Sequence, residues 1–181
     1  MRFLITAGPT REPIDPVRYL SNRSSGKMGY ALAAAALAKG HEVVLVSGPV
    51  SISAPEGATL VRVETAQEMY DAVADSIHEA DAAIFCAAVA DYRVAEVAEE
   101  KIKKTGETLT LTLVKNPDIL GSARSVFGFT GILVGFAAET EKLAEHALDK
   151  LRRKGCDLLV ANDVSRTDIA FDRDENEVEL F

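Results

Sequence analysis

Lys101-Ile102-Lys103-Lys104 places three ammonium groups within four residues of a chain whose formal net charge is −8. An acidic protein holds an anion only where its few cations converge, so the position of each cation is informative. Arg18 carries the planar fork that grips a carboxylate or phosphate through two bonds. The nearby Asn22 amide can donate to a developing oxyanion or to an acyl carbonyl. Gly26 and Gly29 flank a helix start, preceded by Gly8 and by the Ser24 and Ser25 hydroxyls. Free N–H groups and the helix dipole attract phosphate at such a place. Asp91 is placed to accept hydrogen bonds from a ligand, and Phe136 offers a ring face to a base. Plainer explanations exist for each. A charge run suits a solvated face, an aspartate a turn, glycines tight packing, and a strand phenylalanine a core. Lys150 and Lys154 share a helix face, where they also complement the dipole of its last turn.

These residues have one thing in common: each lies at, or just beyond, an element end that can be read from the pattern. Residues 2–6 form a short apolar strand, followed by a polar loop to Ser25 whose length is itself a sign of function. Gly26 to Lys39 is an alanine-rich helix stopped by Gly40. Strands are expected over 42–47 and 59–63, and Thr65-Ala-Gln-Glu68 is a capping box opening a helix to about Glu79. Residues 81–89 read as a buried strand, 90–107 as a charged loop and 108–114 as an alternating, half-exposed strand. Asn116-Pro117-Asp118 opens a short helix with proline at its first position. A strand over 131–136, an amphipathic helix over 139–154 stopped by Gly155, and a strand over 157–161 follow. The tail, 168–181, is expected to form a C-terminal β-hairpin around Asp174-Glu175-Asn176. Buried strands alternating with helices imply an α/β, Rossmann-like, doubly wound sheet, mostly parallel and covered on both faces. Ligands then bind beyond the carboxyl ends of the strands, where Ala87, Ala88, Asp91 and Asn162 also fall.

Several classes of function are excluded on composition. With 181 residues and 48% hydrophobic content, residues 1–181 suit one domain with a sizeable core. The acidic balance argues against nucleic acid as a partner. No apolar run has the length of a membrane span, and the N-terminus lacks the pattern of a signal peptide, so the chain reads as cytoplasmic. Cys86 and Cys156 sit in apolar strand patterns and read as core thiols, and the three histidines show no ligand spacing. A nicotinamide cofactor calls for an acidic residue ending the second strand, whereas that strand here ends Ser47-Gly48-Pro49.

The segment Thr6-Ala-Gly-Pro-Thr-Arg-Glu-Pro-Ile-Asp-Pro-Val-Arg-Tyr-Leu-Ser-Asn-Arg-Ser-Ser-Gly-Lys-Met-Gly29 resembles the signature of the phosphopantothenate–cysteine ligases, also called phosphopantothenoylcysteine synthetases. Cys86-Ala-Ala-Val-Ala-Asp-Tyr-Arg93, Lys101-Ile-Lys-Lys104, Val114-Lys-Asn-Pro-Asp118, Gly135-Phe-Ala-Ala-Glu-Thr140 and Ala161-Asn-Asp-Val164 fit the same family, in order along nearly the whole chain. The resemblance implies a two-step ligation in coenzyme A biosynthesis. The phosphopantothenate carboxylate attacks the α-phosphate of CTP, giving an acyl cytidylate and pyrophosphate. The amine of L-cysteine then displaces CMP. The bacterial wording of the motifs favours CTP over the ATP of eukaryotic relatives.

The same resemblance implies the roles of single residues. Asn22 would hold substrate and intermediate, and Arg18 would reach the substrate of a neighbouring subunit in a homodimer. Ala87, Ala88 and Asp91 would line the pocket, with Lys101 on the triphosphate. Gly8, Ser24, Gly26 and Gly29 would cradle phosphate. Cys86, Lys115, Asn116, Phe136, Lys150, Lys154 and Asn162 would complete the nucleotide site. Attack of one anion on another needs cations and N–H donors, and a triphosphate normally brings Mg²⁺. No carboxylate cluster for a resident metal is visible in the sequence. Two departures from the family are apparent. Residues 1–181 are expected to hold no counterpart of the flavin-dependent decarboxylase half fused to the ligase in many bacteria, as in a free-standing ligase or an excised domain, and relatives usually continue past the equivalent of Phe181. The apolar Val178-Glu-Leu-Phe181 end then needs a partner to cover it. The rival readings are an NAD(P)- or flavin-dependent reductase and a non-catalytic nucleotide-binding domain.

Overall fold

The apolar run at the N-terminus forms β1 (Arg2–Ala7), and its alternating side chains serve two cores at once. Leu4 packs on one face of the sheet and Ile5 with Ala7 on the other. In this computed structural model residues 1–104, 106–139, 142–163 and 177–181 are described. After β1 come β2 (Arg11–Pro13), β3 (Tyr19–Ser21), α1 (Lys27–Ala38), β4 (Glu42–Ser47), β5 (Thr59–Arg62) and α2 (Ala66–Ser76), the last running into a 3-10 turn. Then follow β6 (Ala82–Phe85), β7 (Tyr92–Val94), β8 (Leu113–Lys115), α3 (Ile119–Ser125), β9 (Ile132–Glu139), α4 (Leu143–Lys154), β10 (Leu158–Asp163) and β11 (Glu179–Leu180).

The main sheet has the order β5-β4-β1-β6-β9-β10-β11, parallel except for β11, which runs antiparallel to β10. The chain winds outward from β1 to β5, crosses back through α2, and winds the other way from β6. α1 covers one face through Tyr30, Ala33 and Ala36. α2 and α3 cover the other through Met69, Val73, Ile119 and Ala123, with α4 beside α3 over Ala137 and Leu159. α2 has the expected capping box: Glu68 N–H donates to Thr65 Oγ1 at 3.1 Å, and Thr65 N–H to Glu68 Oε2 at 3.2 Å. The buried Glu12 carboxylate adds a second cap, accepting from Ala66 N–H at 2.9 Å. α4 stops at Gly155, whose φ of 65° is the left-handed cap read from the sequence.

The doubly wound sheet is as expected, and five boundaries differ. The first long loop contains a two-stranded antiparallel pair, β2 with β3. β6 ends at Phe85 rather than residue 89, because the following N–H groups turn to the loop after β1: Ala87 donates to Thr6 Oγ1 and Ala88 to the Gly8 carbonyl. The strand expected over 108–114 is only β8, and its partner β7 comes from what was read as loop. Pro117 precedes the helix rather than opening it, since Asp118 is the cap and accepts from Gly121 N–H at 2.9 Å. α4 starts at Leu143 instead of 139, because β9 keeps pairing with β10 as far as Glu139 and Asp163. The expected hairpin turn at Asp174-Glu175-Asn176 lies outside the described residues. What is described of the tail is β11, an antiparallel edge strand.

Candidate functional site

In a doubly wound sheet the crevice opens where the winding reverses, here at the carboxyl ends of β1 and β6. The loops leaving these strands are zipped together. Ala88 N–H donates to the Gly8 carbonyl at 2.9 Å, and Thr10 N–H to the Ala88 carbonyl at 3.3 Å. The buried Thr10 hydroxyl accepts from Ala90 N–H at 2.9 Å, and Thr6 Oγ1 accepts from Ala87 N–H at 3.2 Å. Onto this crossing the exposed Asn22 lays its amide, with Nδ2 donating to the Ala88 carbonyl at 2.9 Å.

Beside the crossing a cleft of about 460 Å³ runs between the loop after β6, the start of α3, β9 and α4. Of the expected residues, Ala87, Asp91, Lys115, Asn116, Phe136 and Lys150 line it. Thr6, Met69, Tyr92 and Leu120 line it too, and no sequence signal set them apart from ordinary core or loop residues. Asp91 and Lys115 are exposed, opposite charges on one wall. Asn116 is committed internally: Nδ2 donates to the Ala90 carbonyl at 2.8 Å, and Oδ1 accepts from Arg93 at 3.1 Å. It therefore holds the cleft's two loops together. Lys150 Nζ donates to the Phe136 carbonyl at 2.8 Å, across the cleft's floor.

Lys154 does not line the cleft; it is bonded to the Asp118 carboxylate at the start of α3. Burial opposes the charge on Asp118, but Lys154 and the Gly121 N–H outweigh it and hold the carboxyl below its ordinary value of 3.8. The sign follows. A depressed folded pKa contributes stability that is fully present above the unfolded value and is lost as pH falls through the folded one. We therefore expect Asp118→Asn to flatten the acid-side fall in Tm below about pH 4 and to leave the curve's shape near neutrality unchanged. Thermal unfolding across that range measures it, and an unchanged acid limb would remove Asp118 as a contributor.

Gly26 and Gly29 make close packing. A Cβ on Gly29 would stand 2.5 Å from Ala7 Cβ, so α1 touches β1 backbone to backbone. Gly26 sits in the left-handed region at φ 81°, and its N–H donates to Ser24 Oγ at 3.3 Å. Cys86 and Asn162 are half-buried beside the site without lining the cleft, and burial pushes the Cys86 thiol up to about 12, leaving it neutral and unreactive. At the end of β4, Ser47 accepts from the Tyr30 hydroxyl at 2.9 Å and is buried. β4 thus ends in a buried serine hydroxyl. Among the described residues no group of three His, Cys, Asp or Glu side chains forms a metal cluster, and no helix is long and apolar enough to cross a membrane.

Arg18 and Lys101 belong to a second group outside the cleft. Asp15, buried and not foreseen from the sequence, accepts from Arg18 Nε at 3.0 Å and from the Ile102 N–H at 3.1 Å. Arg18 Nη2 in turn donates to the Ile102 carbonyl at 2.9 Å. The Arg18 guanidinium, the Val17 and Ile102 N–H groups and its own turn hold the Asp15 carboxyl well below the usual carboxylate range, against the cost of burial. Lys101 is exposed, next to this clamp.

The arrangement has counterparts among known proteins. The chain is 53% identical over 181 residues to the coenzyme A biosynthesis bifunctional protein CoaBC of Vibrio vulnificus (strain YJ016), covering 99% of this chain and 45% of that protein. It is 52% identical over 184 residues to the protein of the same name from Escherichia coli (strain K12), covering 100% and 45%. It thus spans a little under half the length of these relatives. A crystal structure of the C-terminal domain of coenzyme A biosynthesis bifunctional protein CoaBC superposes with a TM-score of 0.80 at 42% identity, covering 99% of this chain and 85% of that one. The family model for the DNA/pantothenate metabolism flavoprotein C-terminal domain matches residues 1–181. With the fold and the sequence agreeing from end to end, this chain belongs to the DNA/pantothenate metabolism flavoprotein C-terminal domain family.

Proposed function

We propose that residues 1–181 act as one nucleotide-binding domain that joins phosphopantothenate to L-cysteine at the expense of CTP. The observation that carries this reading is Asn22, whose exposed amide is anchored by Nδ2 on the Ala88 carbonyl where the loops after β1 and β6 cross. An acyl carbonyl brought to that crossing meets an oriented donor, beside a cleft sized for a nucleotide. In the first step a carboxylate oxygen of phosphopantothenate bonds to the α-phosphorus and pyrophosphate leaves with the electron pair. In the second the cysteine amine bonds to the acyl carbon, CMP departs, and the amine proton passes to solvent. Lys101 neutralises charge on the triphosphate, while Lys115 and Lys150 serve the nucleotide's phosphates and Phe136 its base. Gly8, Ser24, Gly26 and Gly29 shape the backbone around the phosphates, and Arg18 serves the phosphopantothenate end. Lys154, Asn116 and Asn162 support the cleft from its rim. Mg²⁺ enters as part of the substrate, complexed with the triphosphate.

The test is pyrophosphate release from CTP or ATP, with and without phosphopantothenate, cysteine and Mg²⁺. Release that requires phosphopantothenate and CTP, followed by CMP when cysteine is added, is the expected result. A folded chain that releases nothing with either nucleotide would count against a ligase.

A homodimer belongs to the same reading. Tyr92 and Leu113 of the β7–β8 pair are 46% and 45% exposed, and Tyr19 of β3 and the nearby Val17 are 48% and 59%. A soluble chain rarely leaves that much apolar surface on adjoining strand pairs without a use. We expect Leu113→Glu to convert a dimer into a monomer and to lower turnover, with light scattering as the measurement. A parent chain that is already monomeric at assay concentrations would remove the dimer. Relatives named as bifunctional make a fused flavin-dependent decarboxylase the expected neighbour.

A further inference from the structure

The lysine-bearing loop contains no strand between Val94 and Leu113 among the described residues, yet the main chain of one of its residues is held through both its N–H and its carbonyl. The Ile102 N–H donates to Asp15 Oδ2 at 3.1 Å, and the Ile102 carbonyl accepts from Arg18 Nη2 at 2.9 Å. Arg18 is itself oriented by the same carboxylate, through Nε at 3.0 Å. The other oxygen, Oδ1, accepts the Val17 and Arg18 N–H groups at 2.9 Å each, so the turn at 15–18 is built around this side chain. A further bond, Ala98 N–H to the Ile14 carbonyl at 3.0 Å, seats the start of the loop on the same turn. The Asp15 side chain is 0% exposed, so solvent cannot substitute for any of these donors.

A carboxylate buried this fully is costly unless its acceptor sites are filled, and here both oxygens take more than one donor. One of those donors, the Ile102 N–H, lies 87 positions away in the chain, and Arg18, held by the same carboxylate, reaches 84 positions to the Ile102 carbonyl. Asp15 is thus the point at which the arginine turn and the lysine loop are made one rigid unit. Lys101 directly precedes the clamped residue and shares a peptide group with its held N–H, so its Cα has little freedom while its ammonium stays exposed.

We infer that Asp15 is a positioning residue that acts through Lys101, fixing the main chain at Ile102 so that the Lys101 ammonium stands at the rim of the reaction site with Arg18 oriented beside it. The role of Lys101 rests on the ligase reading; the clamp itself does not. Asp15 touches neither nucleotide nor acid in this scheme, and its effect is on where two cations stand. Misplacing a catalytic group by an ångström costs up to on the order of 10²-fold in rate.

Two measurements on the full chain test it. Hydrogen exchange of the Ile102 amide, in the unsubstituted chain and in Asp15→Asn and Arg18→Lys, needs no substrate and is independent of the ligase reading. Protection of on the order of 10²-fold that falls in both variants is expected. An Ile102 amide exchanging freely in the unsubstituted chain overturns the proposal, whether or not a variant folds. A double-mutant cycle of Asp15→Asn with Lys101→Ala, in the pyrophosphate assay, then separates positioning from general support of the fold. Asp15→Asn is expected to lower kcat about 10- to 100-fold with KM for cysteine, which neither cation holds, within about twofold. The double variant should be no slower than Lys101→Ala alone, within about threefold. Losses that multiply overturn the inference. Protection at Ile102 without any ligase turnover in the unsubstituted chain would leave the clamp standing and sink the ligase reading instead.

Discussion

Asn22→Asp should lower the rate of ligation on the order of 10²- to 10³-fold while leaving the fold intact. The donor that Asn22 presents at the crossing is Nδ2, 2.9 Å from the Ala88 carbonyl. Aspartate keeps the size and removes the donor. It sets an anion against that carbonyl and adds a negative charge where a carboxylate and a triphosphate must meet. A preorganised donor lost from a charge-developing site costs about 3 to 4 kcal/mol, and the new repulsion acts in the same direction. Because Asn22 is exposed, the substitution removes one surface hydrogen bond from the fold and little else. Single-turnover formation of CMP, with circular dichroism on the same samples, measures both halves. A variant within threefold of the parent would mean that the Asn22 amide is a loop tie and that the acyl group is held elsewhere.

Gly29→Val should destabilise the chain by about 3 kcal/mol, a fall in Tm of about 10 °C for a domain of this size. The first Cβ alone would stand 2.5 Å from Ala7 Cβ and 3.1 Å from Ala7 Cα, both on the central strand. Relief requires α1 to lift from β1, which opens the core where Tyr30 and Ala33 pack on Ile5. It also moves the Gly26 turn, whose neighbours include the Gly8 loop. Because glycine is a poorer helix former than valine, propensity opposes this loss; Ala31→Val, on an exposed position of the same helix, shows the cost of a valine without the close contact, about half a kcal/mol. Thermal unfolding of the two variants side by side decides the matter. Equal losses would show that α1 does not depend on close contact at Gly29.

Main-chain periodicity let the sequence be read where burial is continuous. β1 and β4 alternate between two cores and stand out as apolar runs, and the Thr65–Glu68 box and Gly155 mark element ends through bonds made within one turn. Those signals are local, so neighbouring residues suffice to reveal them. The long motif from Thr6 to Gly29 was legible for another reason: its unusual length and residue types resemble one family, and the match of the whole chain to that family agrees with it. The cleft's position could be anticipated too, since a doubly wound sheet reverses its winding at one place only.

What remained hidden depends on contacts between distant parts of the chain. β7 and β8 are three residues each and meet across nearly twenty positions, so neither is long enough to show a period. The bond from Lys154 to Asp118, 36 positions away, left no trace in the helix spacing from which Lys154 was read. The Asn116 amide joins two loops of the site, a role that its place before Pro117 does not announce. Asp15 carried no signal at all. It lies among turn-forming residues, and only its partner 87 positions on reveals it as a clamp. The sequence alone therefore determined the kinds of groups available and the order of the elements, because pitch and burial act within a few residues. The tertiary structure decided which of those polar groups are consumed by one another and which remain for a ligand. A buried carboxylate or amide takes its partners from whatever the fold brings within 3 Å, and that is not written locally.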